Sequence, residues 1–236
     1  MQEEWMLHVI AHIENDYTEK FGVPRQSGMV TMQQARIVFL PEYRDANALR
    51  GLEEYSHLWL LWGFHQNRCR KWAPMVKPPR LGGNRRMGVF ATRSPNRPNP
   101  IGLSSVRLDG IQREEGKGNI LLISGADLVN GTPIYDIKPY LSFTDSHPDA
   151  KNGFAENTLI HRLQVECDAS LLTDIPPEKR QALLEMLALD PRPAYQHDPE
   201  MLYGLSYGGF EVRFLVKGEV LSVLQILPQA RAEKVK

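Results

Sequence analysis

A short loop rich in proline and arginine constrains this chain more than any other stretch. Residues 88–102 read GVFATRSPNRPNPIG, so that a short apolar run gives way to a polar loop and apolar residues resume at Ile101. Each proline fixes its own backbone φ and keeps the preceding residue out of the helical region, which holds the loop in one shape. The loop therefore presents the guanidinium groups of Arg93 and Arg97 with little loss of entropy on binding, which suits recognition of a carboxylate or phosphate. The alternative is a surface loop whose prolines only protect a sheet edge.

The size and composition of the chain are typical of a cytoplasmic globular protein. The 236 residues allow one large domain or one domain with an appendage, and 42% of them are hydrophobic and 24% charged. No apolar run approaches the ~18 residues of a membrane span. The N-terminus, MQEEWMLHVI, carries two acids and no basic segment, so we predict no signal peptide. Cys69 and Cys167 form no CxxC motif, which favours a reducing compartment.

The charges are segregated along the chain although the net charge is zero. Residues 55–108 contain no acid, and they hold ten of the 28 basic residues. Such a segment favours a polyanion or a negatively charged ligand as partner, because tryptophan and proline are interleaved with the charges. The alternative is a basic surface balanced by acids that fold against it. The ten basic residues are Arg68, Arg70, Lys71, Lys77, Arg80, Arg85, Arg86, Arg93, Arg97 and Arg107.

Short apolar segments separated by turn signals predict a mainly β fold, with a barrel or a strongly bent sheet over residues 1–158. The strands are predicted at residues 6–13, 35–40, 56–64, 87–92, 102–108 and 119–128, with a short strand near 135 and a short helix over 42–49. Residues 104–112 and 119–128 form a hairpin over a turn at 114–119.

The character of the sequence changes after a polar stretch at residues 142–157. Residues 177–189 predict the best helix of the chain, which begins at a Pro-Pro pair and has Leu183, Leu184, Leu187 and Ala188 on one face. A strand is predicted at 159–167, and a hairpin at 210–216 and 220–227. We therefore predict a small C-terminal α+β domain over residues 159–236.

Several common chemistries lack their motifs in this sequence. There is no G-x-G-x-x-G after a strand and no Walker lysine loop, so the usual nucleotide folds are not indicated. Glu54 and His57 have the Glu-x-x-His spacing of di-iron bundles, but that motif occurs once and precedes a strand, so we predict no metal. Ser94 lies outside any G-x-S-x-G elbow, and a serine hydrolase is not supported.

The loop at residues 88–102 resembles the signature of the TsaA-like (TrmO, YaeB) family, G-x-F-A-T-R-S-P-x-R-P-N-x-I-G. Four other blocks also resemble the family, and together they span nearly the whole chain in the right order. One departure is the pair Asn15 and Asp16, where members commonly have Ser-Pro. The other blocks are YTEKFGVPRQ (17–26), GLEEYSHLWLLWGFH (51–65), DLVNGTPIYDIKPY (127–140) and DPRPAY (190–195).

The resemblance implies a dimeric β-barrel that differs from the Rossmann methyltransferases. Members use S-adenosylmethionine to methylate N6 of N6-threonylcarbamoyladenosine, next to the anticodon of threonine tRNAs. By the same resemblance, the cofactor is bound near the dimer interface by Pro24, Arg25, Gln26, Phe64, His65, Arg93, Leu103, Asp127, Leu128, Val129 and Asn130.

Polar residues of the proline-rich loop and of the segment near residue 135 are assigned to the substrate because of their chemistry. The modified base carries a threonyl carboxylate, which Arg97, Asn96 and Asn99 are suited to hold. Among the titratable groups Tyr135, Asp136 and Lys138, Asp136 is the candidate base or the organiser of one, and the alternative is a structural salt bridge with Lys138.

The tRNA anticodon stem-loop is expected along the acid-free segment, with Trp72 as a stacking partner for an unpaired base. The motif around Arg192 and Tyr195 is expected to add further contacts with the tRNA. The alternative function is a non-catalytic β-barrel module that binds tRNA or a small anionic ligand. The basic residues expected to contact phosphates are Arg68, Arg70, Lys71, Arg80, Arg85 and Arg86.

Overall fold

The computed structural model describes residues 4–67, 72–78, 85–158, 161–192, 196 and 198–229. The mainly β class predicted from the sequence is confirmed. Helices α1 and α2 span Ser142–Asp145 and Pro177–Ala188. The strands are β1 (Ala11–Glu14), β2 (Gln34–Phe39), β3 (His57–Gly63), β4 (Met75–Val76), β5 (Met87–Gly88), β6 (Ile101–Glu114), β7 (Gly118–Ser124), β8 (Pro133–Pro139), β9 (Gln164–Glu166), β10 (Tyr203–Tyr207), β11 (Phe210–Lys217) and β12 (Val220–Pro228).

Six antiparallel strands hydrogen-bond in the ring order β1-β2-β7-β6-β3-β8, and β8 pairs back with β1. We call this ring the closed sheet. Its strands alternate buried and more exposed residues, as the two-residue period of a half-buried strand requires. On β3, for example, Leu58 and Leu60 are fully buried and Trp62 is 8% exposed. These side chains fill the interior of the ring together with apolar residues of the other five strands.

The second sheet has the order β10-β11-β12-β9, and α2 packs beside it. The helix begins with a proline in its first turn, which suits a position whose N–H has no partner in the helix. Leu183 and Leu187 are buried as the sequence predicts, whereas the rest of the buried face consists of Ala182 and Met186. The burial stripe is therefore rotated slightly from the predicted one. The hairpin of β11 and β12 is confirmed.

Several local predictions are wrong in their details. The strand predicted at 6–13 begins only at Ala11 and runs to Glu14. The segment 87–92 is a strand only at β5, which pairs with β4, and it then turns into a 3-10 helix over Val89–Ala91. The turn forms because both the backbone N–H and the hydroxyl of Thr92 donate to the Val89 carbonyl oxygen. The predicted helix at 42–49 is two 3-10 turns, and the second is capped by Asp45, whose carboxylate accepts from the Asn47 N–H. Strand β10 carries no predicted counterpart.

The segment between β1 and β2 joins the two sheets. Tyr17 and Val30 lie within the apolar core of the second sheet, although they precede it by more than a hundred residues. The domain boundary at residue 158 stays a prediction. Tyr17 and Val30 precede that boundary, although their side chains lie in the core of the second sheet. Within the part of the chain that the structure describes, no helix is long and apolar enough to cross a membrane.

Candidate functional site

Asp127 occupies one end of the closed sheet, where four separate segments of the chain meet. The Ser104 hydroxyl of β6 donates to Asp127 Oδ1 across 2.6 Å. The Trp62 indole N–H at the end of β3 donates to the same Ser104 oxygen across 2.9 Å. The Ser27 backbone N–H also points at the Asp127 carboxylate, and the charge of Arg93 acts on it. We call this end of the closed sheet the mouth.

The electrostatic balance at Asp127 is set mainly by its burial. Removal from water disfavours the charged carboxylate and raises its pKa above the ordinary value. The hydrogen bonds from Ser104 and from backbone N–H groups oppose that shift, as does the positive charge of Arg93, but they do not cancel it. The Asp127 carboxylate therefore connects the segments of the mouth, although its removal from water is unfavourable for its charged form.

Arg93 and Gln26 connect two of the segments that were expected to bind the cofactor. An Arg93 guanidinium N–H donates to Gln26 Oε1, and the Gln26 side-chain amide donates to the Arg25 carbonyl oxygen across 2.5 Å. The structure thus brings the N-terminal loop and the proline-rich loop together, although 67 positions separate Gln26 from Arg93. Pro24 is buried, whereas the side chains of Arg25 and Arg93 are exposed. The Arg93 guanidinium can therefore meet an anionic group at the mouth, whereas the Arg25 guanidinium donates to the Arg192 carbonyl oxygen in the C-terminal half.

An apolar wall lies beside these polar groups. The rings of Trp62 and Phe64 are tilted against each other with centroids 4.4 Å apart. Leu103 lies on the opposite, outer face of the closed sheet, where its side chain is 53% exposed. The Phe64 N–H donates to the Pro100 carbonyl oxygen, which joins the end of β3 to the proline-rich loop. Gly102 allows this packing, because a Cβ at that position would overlap the Trp62 ring. The wall offers a surface on which a planar heterocycle can pack.

The turn before β8 is held by Asn15 and by hydrogen bonds within the turn. The Asn15 N–H donates to the side-chain oxygen of Asn130, and the Asn15 amide donates to the Leu128 carbonyl oxygen. Leu128 is 1% exposed, so its side chain belongs to the core and only its backbone borders the site. The Val129 carbonyl oxygen accepts hydrogen bonds from the backbone and hydroxyl of Thr132. Asn15, which departs from the family pattern, is therefore a structural support of this turn.

His65 lies beside the same turn, with its Nδ1 3.4 Å from the Thr132 hydroxyl. Partial burial lowers the pKa of His65, and the neighbouring His12 and Lys20 lower it further. The imidazole is therefore neutral at pH 7 and can act as a hydrogen-bond donor and acceptor.

The expected substrate residues lie on the proline-rich loop, where two of them also help to shape it. The side-chain amide of Asn67 donates to Asn96 Oδ1 across 3.3 Å, and an Arg97 N–H donates to the Thr92 carbonyl oxygen across 3.3 Å. Asn99 is exposed. The loop also contacts an earlier part of the acid-free segment, since the Ala73 N–H donates to the Asn96 carbonyl oxygen. The exposed Trp72 is thereby held next to this loop.

Tyr135, Asp136 and Lys138 lie on β8. Asp136 and Lys138 form an ion pair of 2.9 Å on the exposed outer face of the closed sheet. Asp136 pairs with Leu61 on β3, and Leu61 pairs in turn with Leu103 on β6, so the three residues form one row across adjacent strands. Asp136 and Leu103 therefore face the same side, roughly 10 Å apart at the backbone.

The Tyr135 ring packs over Gly63, where a Cβ would overlap its hydroxyl. This contact joins β8 to the end of β3, next to the apolar wall.

Sequence reasoning missed the residues that hold the mouth together. Each of them is close in sequence to an expected cofactor residue: Ser104 to Leu103, Ser27 to Gln26 and Trp62 to Phe64. A single serine or tryptophan, however, has no sequence pattern that indicates such a role. Among the residues that the structure describes, no group of three or more His, Cys, Asp or Glu side chains could hold a metal ion. Arg85 and Arg86 are exposed. The other predictions that fall outside the described residues concern Arg68, Cys69, Arg70, Lys71, Arg80, Pro193, Ala194 and Tyr195.

The chain is similar to several known proteins over most of its length. The chain is 44% identical over 231 residues to the tRNA (adenine(37)-N6)-methyltransferase of Escherichia coli K12, covering 93% of this chain and 97% of that protein. A Pyrococcus abyssi protein named "Probable S-adenosyl-L-methionine-binding protein" is 36% identical over 155 residues, which is 66% of this chain and 78% of the relative. The crystal structure of TrmO from Pseudomonas aeruginosa superposes with a TM-score of 0.76 at 33% identity, covering 95% and 99% of the two chains.

Two family descriptions match the chain in sequence order. The tRNA-methyltransferase O N-terminal domain matches residues 12–146, which include the mouth and all of the closed sheet except Ala11. The TrmO C-terminal domain matches residues 161–229, which include α2 and the second sheet. The chain therefore belongs to the tRNA-methyltransferase O family.

Proposed function

We propose that this chain is an S-adenosylmethionine-dependent tRNA methyltransferase that methylates N6 of N6-threonylcarbamoyladenosine beside the anticodon of threonine tRNA. The observation that carries the proposal is the meeting of four distant segments at Asp127, because each segment contains residues expected to bind the cofactor. Membership of the family and the name of the Escherichia coli relative support the same activity. In this proposal the closed sheet is the β-barrel of the family.

The residues at the mouth fit S-adenosylmethionine by their chemistry. The exposed guanidinium group of Arg93 suits a methionyl carboxylate, and the Trp62–Phe64 pair suits an adenine. Arg25 and Leu103 are assigned to the cofactor by the family resemblance alone. The neutral His65 and the turn at 127–130 add hydrogen-bonding groups for a ribose. When bound, the cofactor supplies a methyl group already activated on a sulfonium. The protein's contribution is to hold the acceptor nitrogen in line with that methyl group and to keep water away.

The substrate base is recognised through its threonyl carboxylate. Arg97 is half-buried on the proline-rich loop, and its backbone is restrained by the adjacent prolines. A planar guanidinium in a fixed position can make two parallel hydrogen bonds to a carboxylate, which plain adenosine lacks. Asn96 and Asn99 supply further donors on the same loop. Arg97 is therefore the residue that selects the modified base.

Asp136 is the group that accepts the proton from N6. That nitrogen is conjugated with a carbonyl and is a weak nucleophile unless its proton is removed. Asp136 lies on the same outer face as Leu103 and forms an ion pair with Lys138. Tyr135 packs against Gly63 and anchors this part of β8 beside the site.

The tRNA and a second copy of the chain complete the assembly in this proposal. The exposed Trp72 and the basic Arg85 and Arg86 face solvent near the proline-rich loop, where they can contact an unpaired base and phosphates. Exposed apolar side chains of Leu103 and Phe90 favour a homodimer whose partner covers this face. The activity belongs in the cytoplasm, where tRNA is modified.

Methyl transfer to a defined tRNA tests this function. Threonine tRNA is prepared from cells that lack the protein, so that it carries threonylcarbamoyladenosine without the methyl group, and an unmodified transcript of the same tRNA is the control. Incubation with the purified chain and S-adenosylmethionine is expected to add one methyl group to the modified nucleoside, as read by mass spectrometry. Binding of tRNA without methyl transfer would support a non-catalytic binding module instead.

A further inference from the structure

The segment that carries the expected cofactor residues Pro24, Arg25 and Gln26 is held by the second sheet. Residues 16–33 leave the closed sheet between β1 and β2, and Tyr17, at 1% exposure, is packed in the core that α2 forms with β10–β12. Val30, near the other end of the segment, is also 1% exposed and lies in the same core, and the intervening Phe21 and Val23 pack against it. The position of this segment therefore depends on a different part of the chain from the rest of the mouth.

Two contacts fix the ends of this segment to the C-terminal half. Lys179 on α2 forms an ion pair of 2.6 Å with Asp16, and the two side chains are 30% and 20% exposed. The Tyr207 hydroxyl on β10 donates to Gln33 Oε1 across 2.8 Å, at a site removed from solvent. The Tyr207 hydroxyl also lies 3.4 Å from the Lys179 carbonyl oxygen, which joins the two contacts. One end of α2 thus clamps both ends of residues 16–33.

The middle of the segment rests on the other end of α2. Gly22 adopts a φ of +91°, and a Cβ there would lie 3.4 Å from Met186 Sδ. An Arg25 N–H donates to the Arg192 carbonyl oxygen across 3.3 Å. Arg192, in turn, is held by two hydrogen bonds to Asp190, of 2.8 and 2.9 Å. A cavity of about 170 Å³ lies between these contacts and is lined by residues of both the segment and the helix end.

The opposite side of the same segment faces the mouth. Gln26 accepts a hydrogen bond from Arg93, and the Ser27 N–H points at Asp127. A displacement of residues 16–33 would therefore move the contacts of Arg93 and Asp127 together.

We infer that Lys179 is a positioning residue for cofactor binding: by holding Asp16 it fixes the loop that presents Gln26 and Ser27 to the mouth. The C-terminal half then controls cofactor affinity, in addition to any contact that it makes with tRNA. The inference rests on the proposed function in that it takes S-adenosylmethionine as the ligand of the mouth. Lys179 itself touches neither the cofactor residues nor the substrate residues.

Lys179→Met in the full chain tests this role, and Lys217→Met is the matched control. Lys217 pairs with Glu200 across 3.0 Å in the same C-terminal half, at 61% and 77% exposure, so its ion pair does not involve residues 16–33. Three quantities are measured for each variant: the Kd for S-adenosylmethionine by calorimetry, the Kd for tRNA, and the kcat and KM of methyl transfer. Lys179→Met is expected to raise the Kd and KM for S-adenosylmethionine about three- to tenfold, the scale of a half-buried ion pair.

The tRNA Kd and the kcat at saturating cofactor are expected to match those of Lys217→Met. Lys179→Arg should restore the cofactor affinity, and Asp16→Asn should reproduce the loss without adding to it in the double variant. Equal cofactor affinities for Lys179→Met and Lys217→Met would overturn the inference, as would a loss in kcat alone, which indicates only fewer folded molecules. If Lys179→Met does not fold, Asp16→Asn carries the same comparison. Failure of the unaltered chain to bind S-adenosylmethionine would instead count against the proposed function.

Discussion

The Ser104 hydroxyl donates a 2.6 Å hydrogen bond to the Asp127 carboxylate and thereby ties β6 to the turn that precedes β8. The same serine oxygen accepts the indole N–H of Trp62, so the three side chains form a chain of hydrogen bonds from β3 to Asp127. A carboxylate removed from water requires such partners, because an unpaired buried charge is costly. The mouth is thus held by a contact whose loss affects three segments at once.

Ser104→Ala is expected to lower the free energy of unfolding by about 1–3 kcal/mol, because it leaves both the Trp62 indole and the Asp127 carboxylate short of a partner. Ser105→Ala on the outer face of the same strand is the control, with an expected change within about 0.5 kcal/mol. Denaturant unfolding measures both. Equal effects of the two substitutions would mean that the hydrogen-bond chain contributes nothing particular to the fold.

The raised pKa of Asp127 predicts a definite pH dependence of stability. Above its ordinary pKa of about 4, the unfolded carboxyl has lost its proton while the folded one still holds it, so this group destabilises the fold increasingly as the pH rises through its folded pKa. Asp127→Asn removes that contribution. The free energy of unfolding of the unaltered chain, relative to Asp127→Asn, is therefore expected to fall between acidic and neutral pH. A relative stability that is flat or rises over that range would contradict the assigned direction.

Gly102→Ala is expected to destabilise the protein by about 1–3 kcal/mol, because the new methyl group overlaps the Trp62 ring and forces it to shift. The shift would also break the hydrogen bond from Trp62 to Ser104 and change the tryptophan fluorescence. Gly110→Ala on the same strand is the control, since a Cβ there meets nothing within 4 Å. Thermal unfolding compares the two variants, and a similar loss in both would show that the packing at Gly102 is not the cause.

The sequence predicts the positions of the strands and of helix α2 better than the contacts between distant segments. The apolar alternation in β2 and β3 and the Pro-started helix α2 follow from local periodicity, which is why their positions are close to those predicted. Residues 16–33 have no such periodicity, and their burial depends on a helix far along the chain. The proline-rich loop was recognised because its shape is local, since each proline acts on its own neighbours.

The contacts at the mouth, in contrast, join residues that are far apart in the sequence. The Ser104–Asp127 hydrogen bond depends on the register between strands, and a serine in a strand is ordinary until its partner is known. The pairing of Asp136 with Lys138 was open in the sequence because two residues at this spacing lie on one face of a strand whether or not they have a chemical role.

Arg97→Lys is expected to weaken binding of an anticodon stem-loop that carries threonylcarbamoyladenosine by about tenfold, because a lysine cannot replace the two parallel hydrogen bonds of a guanidinium. Binding of the unmodified stem-loop should change little. Lys77→Met, in the same acid-free segment but outside the proline-rich loop, serves as a control for general phosphate contacts, and it should affect both stem-loops equally. Fluorescence titrations measure the four affinities. An equal loss for both stem-loops with Arg97→Lys would assign Arg97 to the tRNA backbone instead of the modified base.

Asp136→Asn distinguishes a base from a structural ion pair. The pair with Lys138 is well exposed, with side-chain exposures of 45% and 63%, so its loss should cost at most about 1 kcal/mol of stability. As the proton acceptor, however, Asp136 contributes about 10²-fold or more to the rate, the usual scale of general base catalysis. We therefore expect a single-turnover rate reduced about 100-fold in a variant whose unfolding is nearly unchanged. Lys138→Met breaks the same ion pair while keeping the carboxylate, and it should retain most of the rate. If the two variants retain the same rate, Asp136 has only a structural role, and alignment of the base with the activated methyl group accounts for the reaction.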